Sequence, residues 1–266
     1  KQHTSGHRIG SKYIELTLIN YNLMKVKRFT IPALITAIAI SAMPMSAQSH
    51  DYRLNVQDFN KLNVVDNIDV VYSCLPDSAG WAVFSCSPEI ASNLIFTNNK
   101  AKLTVDLAYE DNEPQGLPVI YLYSSALKEV KNAGDSVVAV SRLCEVPKLT
   151  VRVIGNGRID VDDIDCTSVD AGVTAGCGHV KLKGKCTKAD LRNVGTGTVD
   201  AGALTASKVK CNVLGTGPVV CNPEEELNIY GAGSGTVYYI TEPKNLKSRS
   251  IGVKAILNPN GIINSK

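Results

Sequence analysis

The chain is poor in histidine, nearly devoid of helical patterning, and without any apolar run long enough to cross a bilayer. Two of its four histidines precede residue 24, leaving His50 and His179. A Ser/His/Asp triad needs an imidazole held between a nucleophile and a carboxylate. No such order can be assembled around His179, which follows a glycine turn and reads as a surface residue. The apolar stretch Phe29 to Ala42, broken once by Pro32, falls short of the about 18 to 20 residues of a spanning helix. No cysteine comes before Cys74, so a lipid-modified start closely behind that stretch is excluded. Helical pattern is confined to Pro88–Asn93. No helix follows any of the glycine-rich runs, which removes the phosphate-cradling loop that such runs suggest.

Residues 24–47 read as a secretory signal peptide: Met24, a basic segment of Lys25, Lys27 and Arg28, the apolar stretch, then small residues up to a cleavage point at Ala47. A membrane anchor is the alternative, disfavoured by length. Residues 1–23 precede Met24 without an initiator of their own and read as a non-native upstream extension. The formal charge is +3, but residues 1–47 hold six of the 28 basic and one of the 25 acidic residues, leaving a mature chain of about −2. The basic balance belongs to the leader and gives no support for nucleic acid or an anionic membrane as partner.

What the chain does have is a repeat. Gly-x-Gly triplets stand at Gly155 and Gly157, Gly176 and Gly178, Gly195 and Gly197, Gly215 and Gly217, and Gly233 and Gly235, at steps of 21, 19, 20 and 18. A period near 20 residues marks a solenoid, whose units bury their apolar faces only against their neighbours. Aligned on the first glycine, apolar residues recur six and four before it (Leu149, Val151; Ala189, Leu191; Val209, Cys211; Leu227, Ile229). They recur again four and six after it (Ile159, Val161; Val180, Leu182; Val199, Ala201; Val219, Cys221; Val237, Tyr239). Alternation on both sides means two short strands per turn with the glycines at the corner between them. Both glycines of a triplet are expected to supply φ values or a close approach that a Cβ would forbid. In the Gly176 rung, Val169, Ala171 and Val173 run one residue out of phase, which predicts a bulge. Gly134 and Gly252 extend the series to about seven turns. The rungs cover 126–266, and a less regular β-rich part covers 48–125; together, 48–266 read as one continuous domain.

The outward positions alternate in charge across rungs: Asp160, Lys181, Asp200 on one side of the corner, Asp190 and Lys210 on the other. This reads as register, with each exposed pair contributing about 0.2 to 1 kcal/mol. Eight cysteines in an exported chain suggest disulfides. Cys144, Cys166 and Cys186 recur ten or eleven residues after successive corner glycines, and Ala206 follows in the series. Cys211 and Cys221 take inward places. These read as a stack of small apolar side chains, with a Cys166–Cys186 bridge as an alternative. A metal centre would need converging ligands that a linear stack does not offer. Cys74 and Cys86 flank the turn-rich Pro76–Gly80 link, and a hairpin about Gly80 would make them a disulfide.

These residues resemble the GIN-type domain of bacterial envelope proteins, the putative auto-transporter adhesin head family. The resemblance rests on Phe59-Asn60-Lys61-Leu62-Asn63-Val64, Asn67-Ile68-Asp69-Val70-Val71-Tyr72, Leu103-Thr104-Val105, Leu127-Lys128-Glu129-Val130, the Gly-x-Gly rungs and Gly235-Thr236-Val237-Tyr238-Tyr239. It implies a right-handed β-helix-like, all-β fold and an extracytoplasmic place in the periplasm, at the outer surface or secreted. It implies no catalytic residues.

Function is less legible. The acidic run Asp160, Asp162, Asp163, Asp165 suggests the paired carboxylates or calcium of β-helix lyases and hydrolases, but Lys181 and Lys183 are expected opposite it. The sequence therefore points to a non-enzymatic interaction scaffold without cofactor or metal, binding a protein or glycan ligand. The rivals are a carbohydrate-active β-helix enzyme and a periplasmic structural or signalling component. Exposed aromatics anchor contacts. Tyr230 and Tyr238, outward near the C-terminal rungs, are the expected contact surface, and the end rungs the expected route to a homo-oligomer.

Overall fold

A computed structural model describes residues 49–108 and 115–261; the expected leader and upstream extension lie outside the described residues. The elements are β1 (His50–Asn55), β2 (Lys61–Val64), β3 (Val70–Cys74), β4 (Trp81–Cys86), α1 (Pro88–Asn93), β5 (Leu94–Asn99), β6 (Lys102–Leu107), β7 (Ile120–Ser124), β8 (Glu129–Asn132), β9 (Val137–Arg142), β10 (Lys148–Ile154), β11 (Arg158–Ala175), β12 (His179–Gly195), β13 (Thr198–Gly215), β14 (Val219–Ala232), β15 (Thr236–Tyr239), β16 (Asn245–Ile251) and β17 (Lys254–Leu257). The chain is almost entirely β, a solenoid of about six turns of roughly 20 residues behind an irregular β part. The corners from Gly134 to Gly252 are seven, and they enclose those six turns.

Two faces run the length of the solenoid. One carries β5, β6, β2, β8 and β10, then the second halves of β11 to β14, then β16. The other carries β1, β4, β7, β3 and β9, then the first halves of β11 to β14, then β15 and β17. The long strands pass from one face to the other through a bend where Cys166 pairs with Cys186, and Cys186 with Ala206. The return passage is the glycine corner. The expected inward residues line the space between the faces; Leu149, Ile159, Leu182, Leu191, Val219 and Ile229 are fully buried.

The two glycines of a triplet divide the two expected roles between them. The first of each triplet (Gly155, Gly176, Gly195, Gly215, Gly233) adopts a φ closed to most residues, 132° at Gly195. A Cβ there would also stand 2.7 Å from the Gly176 carbonyl oxygen below. The second of each triplet (Gly157, Gly178, Gly197, Gly217, Gly235) does not lie in the left-handed region. It is glycine for want of space alone. Gly157 is buried, and a Cβ on it would run into the Gly134 carbonyl and the Asn132 amide nitrogen. A Cβ on Gly217 would likewise run into the Gly197 carbonyl. Corner carbonyls lie so close to the next rung because they accept its N–H groups. His179 donates to Gly157 at 2.9 Å, Thr196 to Gly176 at 3.2 Å, Thr198 to Gly178 at 3.0 Å and Thr216 to Gly195 at 3.0 Å. Two buried asparagines, not foreseen from the sequence, brace corners from inside. Asn132 Nδ2 donates to Ser136 O (2.7 Å) and Asn193 Nδ2 to Gly197 O (2.7 Å) and Pro218 O (3.1 Å). In the sheet they stand where Val153, Val173 and Val213 stand in other rungs.

The phase slip in the Gly176 rung is the expected bulge. Val153 pairs with Val173, but Ile154 pairs with Ala175. The extra residue, Thr174, turns its hydroxyl onto the Val153 carbonyl at 3.2 Å. A second irregularity was not expected. The ladder slips between Val161 and Ile164, and Asp163 takes φ 60°. Asp162 therefore does not stand opposite Lys183, although Asp160 does stand opposite Lys181.

Order in the N-terminal part departs from chain order. β2 and β3 stack in parallel on β8 and β9, while β6 and β7, later in the chain, lie on the far side of β2 and β3. Antiparallel strands then close that end: β5 on β6, β4 on β7 and β1 on β4. This topology corrects the Cys74–Cys86 pairing. β7 lies between β3 and β4, so those strands do not form a hairpin about Gly80. Cys74 is instead bonded to Cys144 in the link between β9 and β10, and Cys86 is a buried free thiol. The stacking of β3 on β9 brings Cys74 to Cys144 and overrides the local turn signal. Non-reducing peptide mapping should recover the Cys74–Cys144 bridge. Because it closes a loop of sequence separation 70, Cys144→Ser should cost about 2 to 5 kcal/mol in urea unfolding, whereas Cys86→Ser should leave the bridge intact.

Candidate functional site

Outward residues, not core residues, decide what such a scaffold can touch. At the N-terminal end the outer surface of β4, β7, β3 and β9 departs from the charged pattern of the rungs. Val83, Tyr121, Val71 and Ala139 form one row across four strands, matched residue to residue. The neighbouring row begins with Trp81 and Tyr123. Val119, Tyr121 and Val137 are 41, 44 and 39 % exposed. The Arg53 guanidinium lies 4.2 Å from the centre of the Trp81 ring, a cation–π contact. Behind this surface the core is locked: Tyr72 is fully buried and its hydroxyl meets Ser124 Oγ at 2.7 Å. Burial pushes the Tyr72 phenol up to about 12. Apolar and aromatic residues next to an arginine, on a rigid sheet, are the composition of contact surfaces. The Tyr121-Leu122-Tyr123 alternation is the one sequence signal for this surface; the cross-strand row needed the non-sequential order β4, β7, β3, β9.

The expected contact residues Tyr230 and Tyr238 both face outward, but on different faces of the solenoid. Tyr230 is matched to Asn212 and Arg249 and lies under Lys210, whose Nζ is 5.5 Å from the ring centre. Tyr238 is matched to Val220 and Ile256. The structure does not bring them together. Beyond them, β16 and β17 present exposed Leu246, Ile251 and Leu257, with Lys247, Arg249 and Lys254 along the same strands. Lysine and arginine along an edge oppose pairing with a like edge.

The charged ladder follows the expected register with altered partners. Asp190 and Lys210 are 3.7 Å apart and Asp165 and Lys185 3.1 Å. Asp160, expected against Lys181, is held by Arg158 of its own strand, whose Nε donates to both carboxylate oxygens at 2.8 Å. His179 stands opposite Arg158 and Thr198. It is half-buried, not a free surface residue. Desolvation, then the Arg158 charge, lowers its pKa against the opposing pull of Asp200 and Asp160, with Lys181 lowering it further. Among the described residues no group of three or more His, Cys, Asp or Glu gathers in a metal-holding arrangement. A shallow groove of about 280 Å³ lies over the charged ladder, lined by Lys188, Asp190, Lys208, Lys210, Glu226 and Asn228. Its charges are of both signs, with Lys210 paired to Asp190 and Lys208 to Glu226, which suits solvation better than proton transfer.

The cysteine stack is as expected in part. Cys211 and Cys221 are buried, and the neighbouring Cys221, then burial, raises the Cys211 thiol. Cys166 and Cys186 are matched across adjacent rungs, half-buried and free. Burial, then the neighbouring Cys166, pushes the Cys186 thiol up to about 12.

Residues 58–243 match the family described as putative auto-transporter adhesin, head GIN domain. The chain belongs to this family. Solved bacterial structures share the fold. A putative adhesin of Bacteroides fragilis superposes with TM-score 0.68 at 22 % identity, over 80 % of this chain and 98 % of its own. One from Parabacteroides merdae gives 0.60 at 17 %, over 79 and 96 %. A putative lipid binding protein of Parabacteroides distasonis gives 0.63 at 17 %, over 78 and 96 %. At these identities the likeness is one of fold. No curated protein matched. The family places GIN-domain proteins outside the cytoplasm, in the envelope or beyond it. Among the described residues no helix is long and apolar enough to cross a membrane.

His179 supplies a test of the polar ladder. Its folded-state pKa lies below the unfolded value, so the unfolded chain binds the proton first as pH falls. Stability should therefore be unaffected above about pH 6.5 and decline as pH drops through that value toward the folded-state one. In urea unfolding between about pH 7.5 and 5, His179→Gln should lose that part of the decline; an unchanged pH profile would place His179 in water.

Proposed function

We propose that this GIN-domain chain is a non-enzymatic binding module, exported by its 24–47 leader, that meets a protein or glycan ligand through the outer surface of its N-terminal cap. The observation that carries this reading is the row Val83–Tyr121–Val71–Ala139 with Trp81, Tyr123 and Arg53 beside it. An exposed apolar group of that kind on an otherwise charged surface marks an interaction site, and its aromatic and arginine content supplies contact area at low entropic cost. Family membership supports an adhesin role. The mixed and paired charges elsewhere give an enzyme little to work with, because general acid–base chemistry needs groups whose environments drive their pKa values apart around a shared substrate space. The C-terminal end, with Tyr230 and Tyr238 on separate faces and cations along its edge, is the weaker candidate for both ligand contact and self-association.

The test is binding of the purified mature protein to a panel of host and bacterial glycans and to intact cells. Tyr121→Ala with Trp81→Ala should weaken binding at least about tenfold, equivalent to about 1.4 kcal/mol, with circular dichroism unchanged because both side chains lie on the surface. Tyr230→Ala with Tyr238→Ala should bind like the parent. Loss in the second variant and not the first would move the contact to the C-terminal rungs. Turnover of any polysaccharide would overturn the non-enzymatic reading.

A further inference from the structure

Cys166 and Cys186 form a ligand pair with a defined geometry. They are matched partners on adjacent parallel strands, so their backbones are one rung, about 4.8 Å, apart. Their side chains take the same pose: each Sγ lies 3.4 Å from the carbonyl oxygen two residues ahead, Ser168 O and Lys188 O respectively. The same pose one rung apart sets the two sulfurs about one rung spacing apart as well. Both point sideways from the stacking axis, so an ion between them would meet each sulfur at an open angle. Two metal–thiolate bonds of about 2.3 Å in line span about 4.6 Å, which matches that spacing.

A disulfide does not fit so well. The β-carbons of matched parallel residues sit about one rung apart, beyond the about 3.5 to 4.5 Å a bridge needs. A tetrahedral zinc site would need four ligands, and the next rung offers Ala206 at the matched place. Cys166 lines a groove of about 460 Å³ with Glu145, Pro147, Asp165, Thr167 and Thr187, so an ion in solution has a path to the pair from the Cys166 side. Lys185, the chain neighbour of Cys186, is paired with Asp165, the chain neighbour of Cys166, at 3.1 Å.

We propose that Cys166 and Cys186 bind one soft, two-coordinate d10 cation between rungs, copper(I) being the first-row ion of that class that thiolates select. Binding replaces two S–H bonds by two S–Cu bonds and releases two protons, giving a bis-thiolate complex of charge −1. No oxidation is involved. Because burial raises both thiols, the affinity should increase with pH, as proton release requires. The site is independent of the ligand surface at the N-terminal cap.

The experiment uses the mature protein under anaerobic conditions, with copper(I) alone as probe and a chromogenic copper(I) chelator as competitor. The expected result is one copper(I) held per chain, with a thiolate-to-copper absorption band. Loss of an outer-sphere partner alone costs about 10- to 100-fold, so Cys166→Ser and Cys186→Ser should each weaken binding by at least about a hundredfold. Cys177→Ser, which removes the exposed thiol, should bind like the parent. Retention of copper(I) by either Cys166→Ser or Cys186→Ser at parental affinity would overturn the proposal. So would no competition with the chelator, or a native Cys166–Cys186 disulfide found by peptide mapping.

Discussion

The structure depends on how closely one rung can approach the next at its glycine corner. A parallel ladder has a fixed spacing, and at a corner the backbone must turn while still donating to the rung below. The His179, Thr196, Thr198 and Thr216 amides reach corner carbonyls only because nothing projects from the glycines between them. Once the corners stack, inward residues fall into register and the core follows: small and branched aliphatics in files, with Asn132 and Asn193 bracing corners from inside. The solenoid is thus closer to a column of backbone contacts with a side-chain filling than to a core with connections.

The same constraint shapes the ends. A stack of parallel rungs exposes a full edge at each end. At the N-terminal end the chain covers it with β6 and β7 and the antiparallel β1, β4 and β5, and the Cys74–Cys144 bond ties β3 to the β9–β10 link. Covering the edge creates a surface the rungs lack, a broad sheet whose outward side is free of register charges. That is where outward-facing aromatics gather, Tyr121 exposed and Trp81 and Tyr123 half-buried beside it. At the other end, cations along β16 and β17 deter pairing without covering it. Capping and contact are therefore two outcomes of one topological decision.

The repeat, the inward files, the bulge near Thr174 and helix Pro88–Asn93 were all legible in the sequence, because each is a local pattern with one physical reading. The division of labour within a triplet was not: Gly155 and Gly157 look alike in the repeat, and only the stacked backbone shows that one turns and the other makes room. The Cys74–Cys86 pairing misled because turn chemistry at Pro76–Gly80 suggests a hairpin, while the stack places β7 between the strands. The Asp162–Lys183 pairing misled because the slip at Asp163 has no sequence signature beyond an acidic run. The cross-strand row at the cap was hidden for the same reason as the disulfide: β7 joins β3 and β4 out of order. Tyr230 precedes the corner at Gly233 and Tyr238 follows it, so their separation onto two faces was itself legible in the repeat once the corner was taken as the passage between faces.

The most direct measurement is urea unfolding of Gly217→Ala beside Thr216→Ala. Gly217 lies outside the left-handed region, so an added methyl tests close approach alone, and Thr216 is the exposed middle residue of the same triplet. If corner contact holds the stack, Gly217→Ala should cost about 1 to 3 kcal/mol while Thr216→Ala stays within about 0.5 kcal/mol. Equal and small effects from the two substitutions would contradict it.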